Sequence, residues 1–141
     1  MNSSQIKYNL RGYENFVGVF PCDLLPQLMP GQAMIVNTDP HNEPGEHWVA
    51  FYMTNTEHLE YFDSFGLPPL VPSLRSYINS SKHYKFTYST IQLQHETGVT
   101  CGNYCIAFVK YRLSNQPFIS LLAHFTSSLI NNDQIVYKAT R

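Results

Sequence analysis

The sequence predicts an α+β fold in a single domain, residues 1–141. Short apolar segments with strand-like alternation dominate the first two-thirds of the chain, and apolar residues at helical spacing dominate the last third. No internal repeat, low-complexity tract or long linker separates the two parts. Strands followed by helices, with some mixing, are typical of a mixed sheet flanked by helices around one hydrophobic core.

The first half of the chain predicts three strands. Residues 33–36 read as a short buried strand, and residues 37–46, rich in Asn, Asp, Pro and Gly, read as a loop. A second strand is expected over 47–53 and a third over 59–63. The residues between them, 54–58, are short enough to form a hairpin.

The second half predicts helices around one further strand. Apolar residues recur at helical spacing in four segments, and one segment alternates and is rich in aromatic and β-branched residues. The expected elements are a helix over 72–81, a strand over 84–93, a helix from Cys101 to about Leu113, and helices over 118–125 and 133–137.

Composition and charge exclude several classes of protein. The formal net charge is −1 and the basic residues are scattered, so no nucleic-acid partner is expected. No apolar stretch approaches the ~20 residues of a membrane span, and the polar start lacks a signal-peptide core, so we expect a soluble protein made in the cytosol. The odd set of cysteines, Cys22, Cys101 and Cys105, predicts free thiols.

The predicted hairpin brings a histidine to an acid. A hairpin centred on Asn55 places His47 opposite Asp63, just as it places Phe51 opposite Leu59. Cβ atoms of directly opposed residues are about 4.5–5.5 Å apart, so the carboxylate can reach the imidazole and fix its tautomer. The same pattern also fits a simple surface pair, and a register slip of one residue would separate the two side chains.

Cys101 follows a polar loop and opens the most apolar helix of the chain. Its sulfur is therefore expected near unpaired backbone N–H groups and the positive end of the helix dipole, which favour the thiolate. The side-chain amide of Gln94, on the loop before Cys101, is a candidate donor to a tetrahedral oxyanion, together with the Cys101 backbone N–H. Gly102, with no side chain, would let a substrate backbone approach.

Other residues near these are also candidates for a functional role. Cys105 lies one turn further along the helix, where a small buried core residue is the simplest interpretation. Cys101 and Cys105 could instead ligate zinc, but no second pair of ligands matches them, so we expect neither metal nor cofactor. Trp48, next to His47, is either a core residue of its strand or a side chain that packs on a substrate backbone.

The candidate residues lie in segments that resemble adenain, the adenovirus maturation protease family. The segments are 47–51 (HWVAF), 61–66 (YFDSFG) and Gln94 followed seven positions later by Cys101 and Gly102; residues 16–20 and 33–38 also look similar. The resemblance runs in order from about residue 16 to residue 108.

This resemblance implies the fold shared by adenain and the SUMO-removing proteases, with the nucleophile at the start of a central helix. It implies a cysteine endopeptidase with Cys101 as nucleophile, His47 as base, Asp63 as orienting acid and Gln94 as oxyanion donor. By the same likeness the chain is expected to be a maturation protease of a virus or virus-like transposon. Such an enzyme processes capsid or core precursors at glycine-containing sites, in the virion or the host nucleus or cytoplasm.

Two alternatives to this function stay open. One is an isopeptidase for ubiquitin or SUMO-like modifiers, and the other is a non-catalytic binding module on the same fold. The chain also departs from adenain, since it is shorter after Cys105 and lacks the basic charge of that DNA-dependent enzyme. Residues 64–93 contain no cysteine for a disulfide-linked activator, so any activating peptide is expected to bind non-covalently.

Overall fold

The computed structural model describes residues 1–140, which form a five-stranded mixed sheet and five helices. In chain order the elements are α1 (Ser3–Asn9), β1 (Phe16–Pro21), β2 (Ala33–Asn37), β3 (Trp48–Met53), β4 (His58–Phe62), α2 (Pro72–Ser80), β5 (Lys85–Tyr88), α3 (Cys101–Leu113), α4 (Phe118–Leu122) and α5 (Leu129–Thr140). The predicted α+β class, a mixed sheet flanked by helices, is confirmed.

The strands lie in sequence order, β1 to β5, across the sheet. The two outer pairs, β1–β2 and β4–β5, are parallel, whereas β2–β3 and β3–β4 are antiparallel. The central strand β3 is apolar and almost entirely buried, as expected of a strand covered on both faces.

Two hydrophobic cores cover the two faces of the sheet. On one face α3 packs on β3 and is itself surrounded by α1, α4 and α5, so its first nine residues are all buried. On the other face the core includes Leu74 and Ile78 of α2 and Leu28 of the loop before β2. The helix that begins at Cys101 is therefore central, and its contacts with the sheet and three helices hold it in place.

The β3–β4 hairpin has a register two residues away from the predicted one. Phe51 pairs with Tyr61 and not with Leu59. The loop has three residues, 55–57, and its last residue, Glu57, adopts a left-handed conformation with φ 61°. Three-residue hairpin loops need a residue in the left-handed conformation at this position. Gly or Asn would have indicated that position in the sequence, whereas Glu does not.

Several predicted boundaries are also corrected. The strand predicted over 84–93 is only Lys85–Tyr88, because its partner β4 ends at Phe62 and later residues have no strand to pair with. The helix predicted over 118–125 is Phe118–Leu122, and the one predicted over 133–137 is the longer α5, Leu129–Thr140.

The pattern of the sequence did not indicate α1. This helix is mostly exposed, has a capping box between Asn2 and Gln5, and buries Ile6 within it and Leu10 at its end. Two apolar positions in a short polar segment are too few for a periodic signal. Among the helices within residues 1–140, none is long and apolar enough to cross a membrane.

Candidate active site

The end of β4 and the start of β3 bring His47 and Asp63 together. A two-residue shift of register leaves every side chain on its original face, so the corrected hairpin still directs both residues to the same side. His47 Nε2 lies 2.9 Å from Asp63 Oδ1. A carboxylate only accepts hydrogen bonds, so Nε2 carries the proton and Nδ1 is left for another partner.

Asp63 and the imidazole are themselves held in place. The backbone N–H of Phe65 donates to Asp63 Oδ1 over 2.8 Å, and the Phe65 ring stacks on His47 with ring centroids 5.0 Å apart. The Asp63 side chain is 7% exposed and that of His47 is 18% exposed. The carboxylate therefore contacts the imidazole from a largely buried position.

Cys101 is the first residue of α3 and lies within hydrogen-bond reach of His47. Backbone N–H groups of Trp48 and Gly102 lie near enough to its sulfur to lower the thiol pKa. Thr100, which precedes the helix, makes no side-chain capping bond, so N–H groups of the first turn are not taken by a cap. The thiol thus lies where a helix N-terminus, an imidazole and a substrate carbonyl can meet.

The charges of Cys101 and His47 stabilise each other. Burial tends to raise the pKa of the Cys101 thiol, but the hydrogen bonds from His47 and Trp48 and the His47 charge outweigh it, so this pKa is lowered. Burial tends to lower the pKa of His47, yet the hydrogen bonds and charges of Asp63 and Cys101 raise it to about 9. The site favours a thiolate beside an imidazolium.

The other two thiols lack this environment. Cys105 is fully buried in the core, and burial raises its thiol pKa well above the ordinary value. Cys22 is also buried, and burial raises its pKa. Within residues 1–140 no group of His, Cys, Asp and Glu side chains is arranged to hold a metal ion.

Gln94 lies at the same site, and its carboxamide is buried, with 1% of the residue exposed. Its Nε2 donates to the carbonyl of Gly98 over 2.8 Å, and its Oε1 accepts from the hydroxyl of Ser64. One of the two N–H bonds of Nε2 is left for a further acceptor. Gln94 and Cys101 both line the cavity at this site.

Trp48 is one of the residues that line this cavity, whereas Gly102 lies behind Trp48 and Met1. A Cβ added to Gly102 would come within 3.2 Å of Trp48 Cδ1 and 3.3 Å of Met1 Cβ. The indole N–H of Trp48 donates to the Met1 carbonyl over 3.0 Å. Met1 thus covers Gly102, and approach of a substrate backbone to this glycine stays a prediction.

The cavity has a volume of about 880 Å³. The long loop from Asn37 to Trp48 forms one side, and Phe65, Gln94 and the residues just before Cys101 form the other. This volume is typical of a ligand-binding cleft. No sequence pattern indicates that Met1 lies at this cavity, because α1, the helix that follows it, has too few apolar residues to be predicted.

Sequence comparisons find similarity between this chain and viral proteases. The sequence model described as adenovirus endoprotease matches residues 16–137. A cysteine protease of African swine fever virus is 30% identical over 114 residues, which cover 74% of this chain and 40% of the viral protein. A protein from another isolate, named a SUMO-1 cysteine protease, matches to the same extent.

A solved structure extends the likeness of fold to the whole chain. The central domain of an uncharacterized Legionella pneumophila protein superposes with a TM-score of 0.54 at 17% identity, covering 100% of this chain and 93% of that domain. At this identity the match concerns the fold alone. The chain spans about two-fifths of the length of the African swine fever virus proteins that it matches.

Proposed function

This chain belongs to the adenovirus endoprotease family, and we propose that it is a cysteine endopeptidase with Cys101 as nucleophile and His47 as its acid–base partner. The observation that carries the proposal is the placement of thiol, imidazole and carboxylate side by side at the edge of the cavity, with the imidazole hydrogen-bonded to the carboxylate. Its electrostatics favour the ion pair that a cysteine nucleophile needs.

The proposed reaction has two halves. In the first, the Cys101 thiolate forms a bond to the scissile carbonyl carbon, and the electron pair of the C=O bond moves to the oxygen. When this oxyanion collapses, the peptide C–N bond breaks and the leaving nitrogen takes the proton of His47. In the second, His47 accepts a proton from water, which attacks the thioester, and expulsion of the thiolate releases the carboxylate product.

Asp63 and Gln94 support this chemistry in the proposal. Asp63 holds the His47 tautomer that leaves Nδ1 facing the sulfur. The free N–H of Gln94 and the backbone N–H of Cys101 stabilise the oxyanion, where one well-aimed donor is worth roughly 100- to 1,000-fold in rate. Trp48 and Gly102 are proposed to contact the substrate backbone near the cleavage site.

The proposed substrates are capsid or core precursor proteins, cut at glycine-containing sites during virion maturation, in the virion or the infected cell. The viral origin of the matched proteases supports this class of substrate. The alternative substrate is a ubiquitin-like modifier, which the name of one matched protein, a SUMO-1 cysteine protease, favours. A non-covalent activating peptide remains part of the proposal, since residues 64–93 hold no cysteine.

The test is a cleavage assay with two substrates side by side. One is a panel of peptides with glycine-containing sites taken from polyproteins, and the other is SUMO fused through Gly-Gly to a reporter. We expect cleavage of the peptides, loss of cleavage in Cys101→Ala, and retention in the matched control Cys105→Ala. Faster cleavage of the SUMO fusion would select the isopeptidase.

The binding-module alternative predicts a different result. In that case neither substrate is cut, and wild type and Cys101→Ala bind the peptides equally. Cleavage that persists in Cys101→Ala would contradict the assignment of the nucleophile, whatever the substrate.

A further inference from the structure

The loop that carries Gln94 is clamped between two parts of the chain that are remote from it in sequence. The side-chain amide of Gln94 has one acceptor oxygen and two N–H bonds. Rotation of the amide plane by half a turn exchanges the positions of the oxygen and the NH2 group. An oxyanion needs the N–H end, because the oxygen end would repel it. What fixes the amide plane therefore decides whether Gln94 can act.

Ser64, directly after Asp63, holds Gln94 from the side of the sheet. Its hydroxyl donates to Gln94 Oε1 over 2.5 Å, and its carbonyl accepts the N–H groups of Leu93 and Gln94 at 2.8 and 3.1 Å. Ser64 is fully buried. Its hydroxyl faces the amide oxygen, while the Gly98 carbonyl, which only accepts, faces the amide nitrogen. The Gly98 carbonyl selects this orientation of the amide, and the Ser64 hydroxyl, by donating to the oxygen end, holds the amide in it.

Asp133, on α5, holds the same loop from the opposite side. Its carboxylate accepts from the hydroxyl of Tyr104 over 2.8 Å and lies 3.3 and 3.4 Å from the backbone nitrogen of His95. The loop packs so closely that a Cβ on Gly98 would lie 2.5 Å from Asp133 Oδ2. The carboxylate thus fixes the backbone on which both Gln94 and its partner Gly98 are carried.

From these contacts we propose that Ser64 and Asp133 are positioning residues that hold the Gln94 amide with an N–H toward the oxyanion. The inference rests on the proposed role of Gln94. Neither residue touches the sulfur or the imidazole in this arrangement, so both act through Gln94. Their loss should impair the step that builds an oxyanion and spare the thiolate.

The experiment compares two reactions of Cys101 in Ser64→Ala and Asp133→Asn. Peptide hydrolysis passes through an oxyanion, whereas alkylation by iodoacetamide forms the S–C bond as iodide leaves and passes through none. We expect kcat to fall about 10-fold in each variant, part of the loss expected for a whole donor, with KM and the alkylation rate within about twofold of wild type. Ser80→Ala, an exposed serine on α2, is the matched control and should change neither reaction.

A double-mutant cycle completes the test. Gln94→Ala should lower kcat by roughly 100-fold, and adding Ser64→Ala to it should lower kcat by no more than about another twofold, because both changes remove the same donor. Unchanged kcat in Ser64→Ala and Asp133→Asn, equal losses of alkylation and hydrolysis, or fully additive losses would overturn the inference. Full activity of Gln94→Ala would overturn it as well, whereas absent hydrolysis in wild type with normal alkylation would sink the proposed function itself.

Discussion

At the scale of single residues, the proposed chemistry depends on the mutual charge stabilisation of Cys101 and His47. The thiol pKa is lowered and the imidazole pKa is raised to about 9, so both charged forms coexist between the two pKa values. Below this window the sulfur is protonated and cannot attack. Above it His47 is neutral and has no proton for the leaving amine.

The first prediction concerns the pH profile of kcat/KM. We expect a bell whose acid limb follows the lowered pKa of Cys101 and whose alkaline limb falls near pH 9, the pKa of His47. A steady-state profile on the best peptide substrate measures both limbs. A single rising limb near the ordinary thiol pKa of about 8.5 would mean that the ion pair does not form.

The second prediction separates the two roles of Asp63. Asp63→Asn keeps an oxygen that the Phe65 N–H can hold toward His47, whereas Asp63→Ala removes it. Because the Asp63 hydrogen bond and charge raise the His47 pKa, both variants should move the alkaline limb to lower pH. We expect kcat/KM to fall about 10-fold in Asp63→Asn and about 100-fold in Asp63→Ala. Equal losses, with no shift of that limb, would argue against an orienting carboxylate.

Residue chemistry allowed part of the site to be predicted from sequence. Cys101 could be preferred over Cys105 as the candidate nucleophile because helix starts favour thiolates. The lowered pKa of the Cys101 thiol and the raised pKa of the Cys105 thiol support this choice, which stays a prediction. Ser64 and Asp133 could not be found in this way. Serine and aspartate are common polar residues, and their contacts with the Gln94 loop join segments about 30 to 40 positions apart, which no local pattern reveals.

At the scale of elements, the hairpin shows why a predicted contact can survive a wrong register. The alternation of strand side chains depends only on parity, so the two-residue shift kept His47 and Asp63 on one face. The loop length was not predictable because Glu57 supplies the left-handed conformation. The alternation of apolar residues determines which face of the sheet each side chain occupies, whereas the geometry of the turn determines which residues of the two strands pair.

The third prediction concerns Gly66, in the turn that follows Asp63. Its φ is 71°, and an added Cβ would lie 2.7 Å from the backbone carbonyl carbon of Ile91. Relief of this clash would require a shift of the backbone. Gly66→Ala should lower the free energy of unfolding by about 1–3 kcal/mol or more. Gly12→Ala, with nothing within 4 Å of the new Cβ, should stay within about 0.5 kcal/mol of wild type.

Urea denaturation of the two glycine variants measures this difference. Equal stability of Gly66→Ala and Gly12→Ala would show that the turn can relax.

At the scale of the whole molecule, α3 is the element around which the fold is built. It lies between the sheet and three other helices, so its N-terminus cannot shift without disturbing the core. The α+β class followed from the sequence because strand and helix periodicities occupy different parts of the chain. The helix α1 could not be predicted, because nearly all of its residues are polar and exposed. The short extent of β5 could not be predicted either, because it depends on the length of its partner strand β4.

The fourth prediction concerns nucleic acid. With a formal net charge of −1 and no run of basic residues, the chain offers few phosphate contacts. Duplex DNA added at low salt should change the rate of peptide cleavage by less than about twofold. The same assay with salt titrated upward is the control. A large stimulation that disappears as salt rises would reveal a DNA-binding surface that the charge count does not predict.

Covalent labelling shows whether Cys101, activated by His47, is the nucleophile. The protein is treated with a peptide carrying an electrophilic carbon, digested, and mapped by mass spectrometry, with His47→Ala in parallel. We expect an adduct on Cys101 alone and much slower labelling in His47→Ala. An adduct on Cys105 or Cys22, or undiminished labelling in His47→Ala, would contradict this expectation.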